Sequence, residues 1–485
     1  MSTPSTAATP ANLAPDPRRW GTLALLGAAQ LMLIVDVTVV AIALPHVGAD
    51  LDLSRAATTW VVSAYTLAFG GLMLLGGRLS DLLGPRPVVL AGLALFTTAS
   101  LAAGLAGSAE VLLASRGAQG LGAALLSPAA LSAVLRLFEG EERHRALGVW
   151  SALGGAGAAL GVLLGGLLTA GPGWPWVFFV NVPIGIVVAL GLARRLRAGT
   201  PGGTPGGTPG GTPSGTPAAR LDLSGAILVT AATGTAIYAL IGAGDHGWGS
   251  GRTLGLLAAA VLLYLLFGLR QRSAASPLMD LGLLTRRPVA TGILLIVAAT
   301  ALMVAGFFLG TFYLQHHAGQ GALVTGLLFL PVAVATVVGA TAGGHLIGRI
   351  GARALATAGF VVAGAGFAVP AVADGASAVV LGTTLAALGL GALFVAASAT
   401  ALGHVAAHES GIVSGIVSTF HEFGASLGAA VISSVAAASI AGSTTTGFVH
   451  GFTVAAGVAA AAALVCLVSV PGRSPALTHP TGGLH

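Results

Sequence analysis

The chain contains fourteen apolar segments that are each long enough to cross a lipid bilayer as a helix. Such a helix needs about 20 mostly apolar residues. Charged residues make up 7% of this 485-residue chain, whereas soluble domains carry about 25%. We therefore predict an all-α polytopic membrane protein and exclude the soluble, disordered and nucleic-acid-binding classes. The predicted spans are 21–45, 57–76, 88–107, 111–135, 147–169, 176–193, 223–243, 253–269, 288–312, 322–344, 355–372, 377–401, 411–436 and 450–470.

The distribution of arginine predicts the orientation of these spans. All 21 basic residues are arginine; with the N-terminus inside, eighteen lie in inner loops or tails and only Arg55 and Arg252 in outer loops. Short cytoplasmic loops carry such an excess of positive charge, so we expect both termini in the cytoplasm.

Arginine without lysine, together with abundant Gly and Ala, suggests GC-rich coding. We therefore expect the cytoplasmic (inner) membrane of a bacterium.

A ten-residue pattern occurs twice, 267 residues apart. It reads GRLSDLLGPR at 77–86, after span 2, and GHLIGRIGAR at 344–353, after span 10. The repeat predicts that spans 1–6 and 9–14 are duplicated six-helix bundles, with spans 7–8 inserted between them. Membrane proteins that are built from repeats and have a site at the repeat interface are characteristically transporters.

Residues 200–217 read TPGGTPGGTPGGTPSGTP and carry no apolar side chain that could pack in a core. We predict a flexible cytoplasmic linker here. The resulting domain prediction is a tail at 1–20, a bundle at 21–194, the linker at 195–222, two inserted helices at 223–270, a loop at 271–287, a bundle at 288–470 and a tail at 471–485.

Three further patterns lie in and after the first five spans. They comprise Gly77, Asp81, Gly84 and Arg86 after span 2, Arg116, Gln119 and Gly120 in span 4, and Gly148, Gly157, Gly161, Gly165 and Gly166 in span 5. They resemble motifs A, B and C of the major facilitator superfamily, and in particular of its fourteen-span drug:proton antiporter branch. The resemblance implies the major facilitator fold, transport by alternating access, a motif A that gates the cytoplasmic side and a motif C that seals the outer half. Val162 stands where the family's proline is expected in motif C.

Three charged residues lie deep within predicted spans: Asp36, Arg116 and Glu422. Ionisable residues inside a membrane are costly and therefore mark functional sites. From the helix rise, Asp36 and Arg116 lie at depths that agree within one turn, so they can pair. We predict that Asp36 and Glu422 carry a proton or a cation and that Arg116 tunes Asp36. The structural alternatives are a fixed ion pair between spans 1 and 4, and a Glu422 that faces water without a transport role.

Other polar and aromatic residues within the spans are candidates for an amphipathic substrate cavity. They are Gln30, Tyr65, Asn181, Phe308, Phe312, Tyr313 and His421.

Several patterns that suggest other chemistry do not carry it here. The G-x-S-x-G pattern at 424–428 lies inside a span, whereas a hydrolase needs it at a strand-to-helix turn. A chain without lysine cannot have a Walker motif. His404 and His408 lie in an inner loop, where we expect solvated side chains rather than metal ligands. We expect no cofactor, no metal and no enzymatic activity.

The sequence thus predicts an exporter of amphipathic drugs or antibiotics that is driven by inward proton flow. Its expected partners are the small-molecule substrate, protons and membrane lipid, with no nucleic acid, and the expected state is a monomer. A proton symporter or uniporter on the same fold remains an alternative, favoured by Val162. A membrane enzyme or sensor is a remote alternative.

Overall fold

The computed structural model of the chain describes residues 19–196, 221–403, 405, 409–440 and 444–470. The predicted linker at 200–217, residues 1–18 of the predicted N-terminal tail, the predicted tail at 471–485 and the His404/His408 pair lie outside the described residues. Each predicted span overlaps one helix. The helices are α1 (Arg19–Asp50), α2 (Arg55–Leu83), α3 (Pro85–Gly104), α4 (Ala109–Leu137), α5 (Gly140–Ala170), α6 (Trp176–Arg195), α7 (Leu223–His246), α8 (Gly251–Ser273), α9 (Arg287–Phe312), α10 and α11 (together Ala322–Val372), α12 (Ala376–Leu402), α13 (Ser410–Val435) and α14 (Thr446–Ser469).

The α10–α11 segment explains why fourteen spans occupy thirteen continuous helical stretches in the described part of the chain. It contains 51 residues, so a straight helix of this length would be about 76 Å long, more than twice the bilayer core. Gly351 breaks it with φ 81° and ψ 164°, and α10 (322–350) and α11 (352–372) lie on either side. The predicted count of fourteen is confirmed.

The two copies of the repeated pattern have the same backbone. Gly84 ends α2 with φ 82° and ψ 158°, nearly the angles of Gly351. This region of backbone space is open essentially only to glycine. The two glycines therefore make equivalent sharp turns, α2 to α3 and α10 to α11, at one end of the bundles. We call this end the arginine-rich end and the other the opposite end.

The repeat extends to the helix contacts. A Cβ atom added to Gly92 of α3 would lie 2.8 Å from the carbonyl oxygen of Gly122 in α4. A Cβ atom added to Gly359 of α11 would lie 2.8 Å from the carbonyl oxygen of Gly389 in α12. Small residues allow such close approach of membrane helices. The same close contact thus occurs in both six-helix bundles.

The two bundles meet along two seams. On one side α2 packs against α13, and on the other side α5 packs against the start of α10. The inserted helix α7 packs against both α2 and α13, and α8 packs against α7. The inserted pair therefore covers the α2–α13 seam.

Asp222 fastens the inserted pair together at the arginine-rich end. Its carboxylate accepts hydrogen bonds from the Gly225 amide (3.1 Å) and from Gln271 Nε2 (2.7 Å), and it pairs with Arg270 (3.0 Å). Burial by itself raises the pKa of Asp222, but these hydrogen bonds and the nearby cation outweigh it and lower the pKa below its ordinary value. Asp222 therefore joins α7 to α8 as a charged group.

Candidate functional site

A closed polar cluster lies inside the first bundle around Asp36. The side chains of Asp36 and Arg116 are 0% and 1% exposed, and Arg116 Nη1 donates to Asp36 Oδ2 at 2.5 Å. Asp36 Oδ1 accepts from Asn181 Nδ2 at 2.9 Å and from Gln119 Nε2 at 3.2 Å. Buried charges persist in proteins when they are paired and hydrogen-bonded. The cluster, which we call the Asp36 cluster, meets that requirement.

The remaining donors of the Asp36 cluster are used within the same bundle. Arg116 donates to the Val61 carbonyl and to Gln119 Oε1, each at 2.9 Å, and its guanidinium carbon lies 4.4 Å from the centre of the Tyr65 ring. Gln119 donates to Ser100 Oγ at 2.8 Å. The cluster therefore connects α1, α2, α3, α4 and α6 and holds Arg116 in one position.

Glu422, on α13 of the second bundle, is in a different situation. Its side chain is partly accessible although it lies near the middle of its helix. Within the described residues it forms no hydrogen bond or ion pair. A Cβ atom added to Gly70 of α2 would lie 2.8 Å from Glu422 Cβ, so this acid lies at the α2–α13 seam. Its neighbour His421 contacts Thr300 Oγ1 through Nδ1 at 3.0 Å and lies beside the Phe394 ring.

Tyr65 lies beside the Asp36 cluster on α2, the same helix that meets Glu422 at Gly70. Its side chain is buried, and its hydroxyl has no hydrogen-bond partner among the described residues. The sequence interpretation placed Tyr65 and Asn181 in a substrate cavity, whereas the structure places both at the Asp36 cluster.

The predicted aromatic lining of a cavity is not found in this conformation. Phe308, Phe312 and Tyr313 are 4%, 2% and 6% exposed and belong to the packed core. The Tyr313 hydroxyl accepts a hydrogen bond from the Gly375 amide at 2.9 Å, which is a structural contact. Aromatic residues fill cores as readily as they line sites, so sequence could not separate the two roles. Gln30 is half-buried, and its amide oxygen has no partner among the described residues.

Motif A lies at the arginine-rich end, and its side chains do not join the two bundles here. Asp81 is exposed and forms no ion pair within the described part of the chain. Arg86 donates to the carbonyl of Ala193 at the end of α6, at 3.0 Å. Its repeat equivalent Arg353 donates to the carbonyl of Val470 after α14, at 2.8 Å. Each arginine thus binds the end of the last helix of its own bundle, and the gating role of motif A stays a prediction.

The motif C glycines face two neighbours. Gly157, Gly161 and Gly165 pack against α1, where added Cβ atoms would collide with Ile34, Thr38 and Val39. Gly166 packs against α10: its Cβ would lie 2.8 Å from the Ala322 carbonyl oxygen.

Two further positions show which part of motif C makes the seam. The Val162 carbonyl lies against Gly326 of α10, whereas a Cβ atom on Gly148 would meet nothing within 4 Å. Val162 and Gly166 therefore belong to the α5–α10 seam, whereas Gly148 lies outside it.

Comparison with known proteins agrees with this architecture. The profile of the Major Facilitator Superfamily matches residues 26–429. The chain is 37% identical over 409 residues to the puromycin resistance protein pur8 of Streptomyces alboniger, which covers 82% of this chain and 78% of the relative. It is 40% identical over 343 residues to the cephamycin export protein CmcT of Amycolatopsis lactamdurans, which covers 70% and 68% respectively.

The fold is similar to that of solved transporters. An auto-inhibited peptide transporter of the POT family aligns with a TM-score of 0.63 and 17% identity, over 95% of this chain and 99% of that chain. The profile match, the relatives and the fourteen helices in two bundles with an inserted pair lead to one conclusion. The chain is a multi-pass membrane transporter of the major facilitator superfamily and belongs to its drug-efflux branch.

Proposed function

We propose that this chain exports amphipathic drug-like molecules from the bacterial cytoplasm and is driven by protons that flow inward. The puromycin resistance and cephamycin export proteins support the substrate class. The arginine-rich end faces the cytoplasm, in keeping with the distribution of arginine between the loops. We propose a monomer, because every residue of the Asp36 cluster comes from one chain.

The observation that carries the proposal is the contrast between two acids at the middle of the membrane. Asp36 is fully paired, whereas Glu422 is partly accessible and has no partner within the described residues. An unpaired carboxylate is costly to hold charged inside a membrane. Glu422 therefore needs either a proton or a substrate cation, and the two compete for the same group. Because binding of one displaces the other, a proton and a substrate cation are exchanged at Glu422.

The Asp36 cluster supplies the second part of the mechanism. While Arg116 is paired with Asp36, the cluster is neutral and the first bundle is held together. A proton on Asp36 would leave Arg116 as an uncompensated buried cation, so protonation requires a rearrangement of the helices. The helix α2 contacts both acids, the Asp36 cluster through Tyr65 and Glu422 at Gly70, and so connects this event to the occupancy of Glu422. One proton that crosses about 100 mV releases about 2.3 kcal/mol, enough to drive a several-fold substrate gradient.

Purified protein in liposomes with an internal pH-sensitive dye tests the proposal. Lipophilic cations and common antibiotics are added in turn under an imposed proton gradient. We expect a transported compound to dissipate the gradient in the wild type and to lose this effect at least about tenfold in Glu422→Gln and Asp36→Asn. Glu110→Gln, which removes an exposed acid from the end of α4, is the matched control. Full proton-coupled transport by both Glu422→Gln and Asp36→Asn would contradict the assignment of proton coupling to these two acids.

The alternative is a symporter or uniporter, and Val162 at the α5–α10 seam is the observation in its favour. The same liposomes separate the three modes. An antiporter accumulates substrate on the side from which protons leave, and a symporter accumulates it on the side that protons enter. A uniporter is indifferent to the proton gradient.

A further inference from the structure

The inserted helices contribute a charged residue to the contact between the two bundles. Arg55, the first residue of α2, was placed in an outer loop by the sequence, but its side chain is only 5% exposed. It donates to Ser433 Oγ of α13 at 2.8 Å. It also donates to the Ile241 carbonyl (2.8 Å) and to Asp245 Oδ2 (2.7 Å), both on α7. One buried cation therefore joins the first bundle, the inserted pair and the second bundle.

Arg55 lies at the end of a polar contact line along the α2–α13 seam. Thr59 Oγ1 and Ser433 Oγ are 2.6 Å apart, and Thr66 Oγ1 and Ser426 Oγ are 2.5 Å apart. Hydrogen bonds between membrane helices are individually weak. Such bonds can be broken and remade in each transport cycle, because the hydroxyls bind water when the helices separate.

Because Arg55 is charged, the stability of the closed seam depends on Asp245 more than on the other partners of Arg55. In the closed seam the other partners of Arg55 are a hydroxyl and a carbonyl, both neutral, so Asp245 supplies its only counter-charge within the described residues. A buried charge without a counter-ion is strongly unfavourable, whereas the same charge at an open seam reaches water. Removal of Asp245 therefore raises the free energy of the closed seam relative to the open one.

We propose that Asp245 of the inserted helix α7 is the counter-ion that holds the opposite end of the α2–α13 seam closed, through Arg55. The inserted pair then takes part in the opening and closing of the α2–α13 seam and is more than an addition to the two bundles. This inference rests on the alternating access of the proposed function, but not on proton coupling or on the nature of the substrate.

Disulfide trapping of the seam tests the proposal. The background is Cys466→Ser, which removes the single cysteine of the chain. Thr66→Cys and Ser426→Cys then place two thiols where the hydroxyls are in contact, away from Arg55. In lipid nanodiscs, the rate of oxidant-driven crosslinking reports how often the seam is closed. Maleimide labelling of Thr66→Cys alone reports how often it is open.

We expect Asp245→Asn and Arg55→Gln each to slow crosslinking by at least about fivefold and to speed labelling. Asp245→Glu keeps the charge and should stay within about twofold of the background. The matched control is Arg252→Gln, since Arg252 is exposed at the same end and, in the part of the chain that the structure describes, hydrogen-bonds only to His246 and Tyr238 of the inserted pair. It should have no effect.

Two results would overturn the proposal. The first is Asp245→Asn crosslinking as fast as Arg252→Gln. The second is an effect of Asp245→Asn that adds in full to that of Arg55→Gln in the double variant, because residues that act through one contact are not additive. Neither readout uses a proton gradient or a drug, so failure of the transport assay and failure of this test are distinguishable.

Discussion

The two bundles share a backbone and differ in what they bury. Gly84 and Gly351 make the same turn, and Arg86 and Arg353 bind the ends of α6 and α14. Span 4 of the first bundle nevertheless carries the buried Arg116. The residue 267 positions later, in α12, is Thr383, whose hydroxyl bonds to its own helix.

This difference concerns how each bundle treats its buried charge. The first bundle holds a hydrogen-bonded network around the Asp36–Arg116 ion pair, and the second presents at the seam an acid with no partner among the described residues. A hydrogen-bonded buried network rigidifies the helices that contribute to it, whereas an acid without a partner keeps its carboxylate available for a ligand. The duplication thus supplied a common scaffold, and a few side chains made the two interiors different.

The largest expected effect comes from the ion pair of the first bundle. Arg116→Met leaves Asp36 as a buried charge without its cation, and we expect a loss of about 3–5 kcal/mol in the free energy of unfolding. The measurement is an SDS titration in mixed micelles. Asp36→Asn combined with Arg116→Met removes both charges and should recover most of the stability. A double variant that is no more stable than Arg116→Met would show that the charge pair is not the cause.

A smaller and equal effect is expected at the two turns of the repeat. Gly84→Ala and Gly351→Ala each place a Cβ atom in backbone angles that only glycine tolerates, at a cost of about 1–3 kcal/mol. Gly344→Ala, in a helical position where the Cβ atom meets nothing within 4 Å, is the control. Thermal unfolding of the three variants measures the effect. Unequal losses would show that the turns at Gly84 and Gly351 are not equivalent in the two bundles.

The repeated arginines should contribute less. Arg86→Gln and Arg353→Gln each weaken one hydrogen bond to a helix end, and we expect about 0.5–1.5 kcal/mol for each. Hydrogen exchange at the ends of α6 and α14 locates the change: each variant should loosen only the helix end of its own bundle. Faster exchange in the other bundle would instead support a role for these arginines between the bundles.

The smallest effect on stability is expected at the acid of the second bundle. Glu422→Gln removes no hydrogen bond or ion pair found among the described residues, so the free energy of unfolding should not fall by more than about 0.5 kcal/mol. The same SDS titration measures it, with Asp36→Asn beside it. Asp36→Asn should be clearly less stable because it breaks the pair with Arg116. Equal stability losses for the two variants would show that the two acids do not differ in how much their contacts stabilise the fold.

The sequence predicted much of the fold and part of the site. The arginines indicated an orientation, and the repeat indicated the duplication that the turns at Gly84 and Gly351 display. Depth along the helices allowed Asp36 and Arg116 to pair, and they do. Phe308, Phe312 and Tyr313 lie in the packed core, and their role in a substrate cavity stays a prediction, because burial in a core and exposure to a cavity look alike in sequence. The sequence did not reveal that Arg55 is buried, because its position at the start of a helix does not show the neighbours that bury it.

The sequence by itself determined the number, length and approximate position of the membrane helices, because each depends on the hydropathy of one continuous stretch. Only the tertiary structure decided which polar groups meet. Asp36 is 80 residues from Arg116 and 145 from Asn181, and Arg55 is 190 from Asp245. Inside a membrane, buried polar groups must find partners on other helices. Which partners they find depends on the rotation and packing of those helices, which no local stretch of sequence encodes.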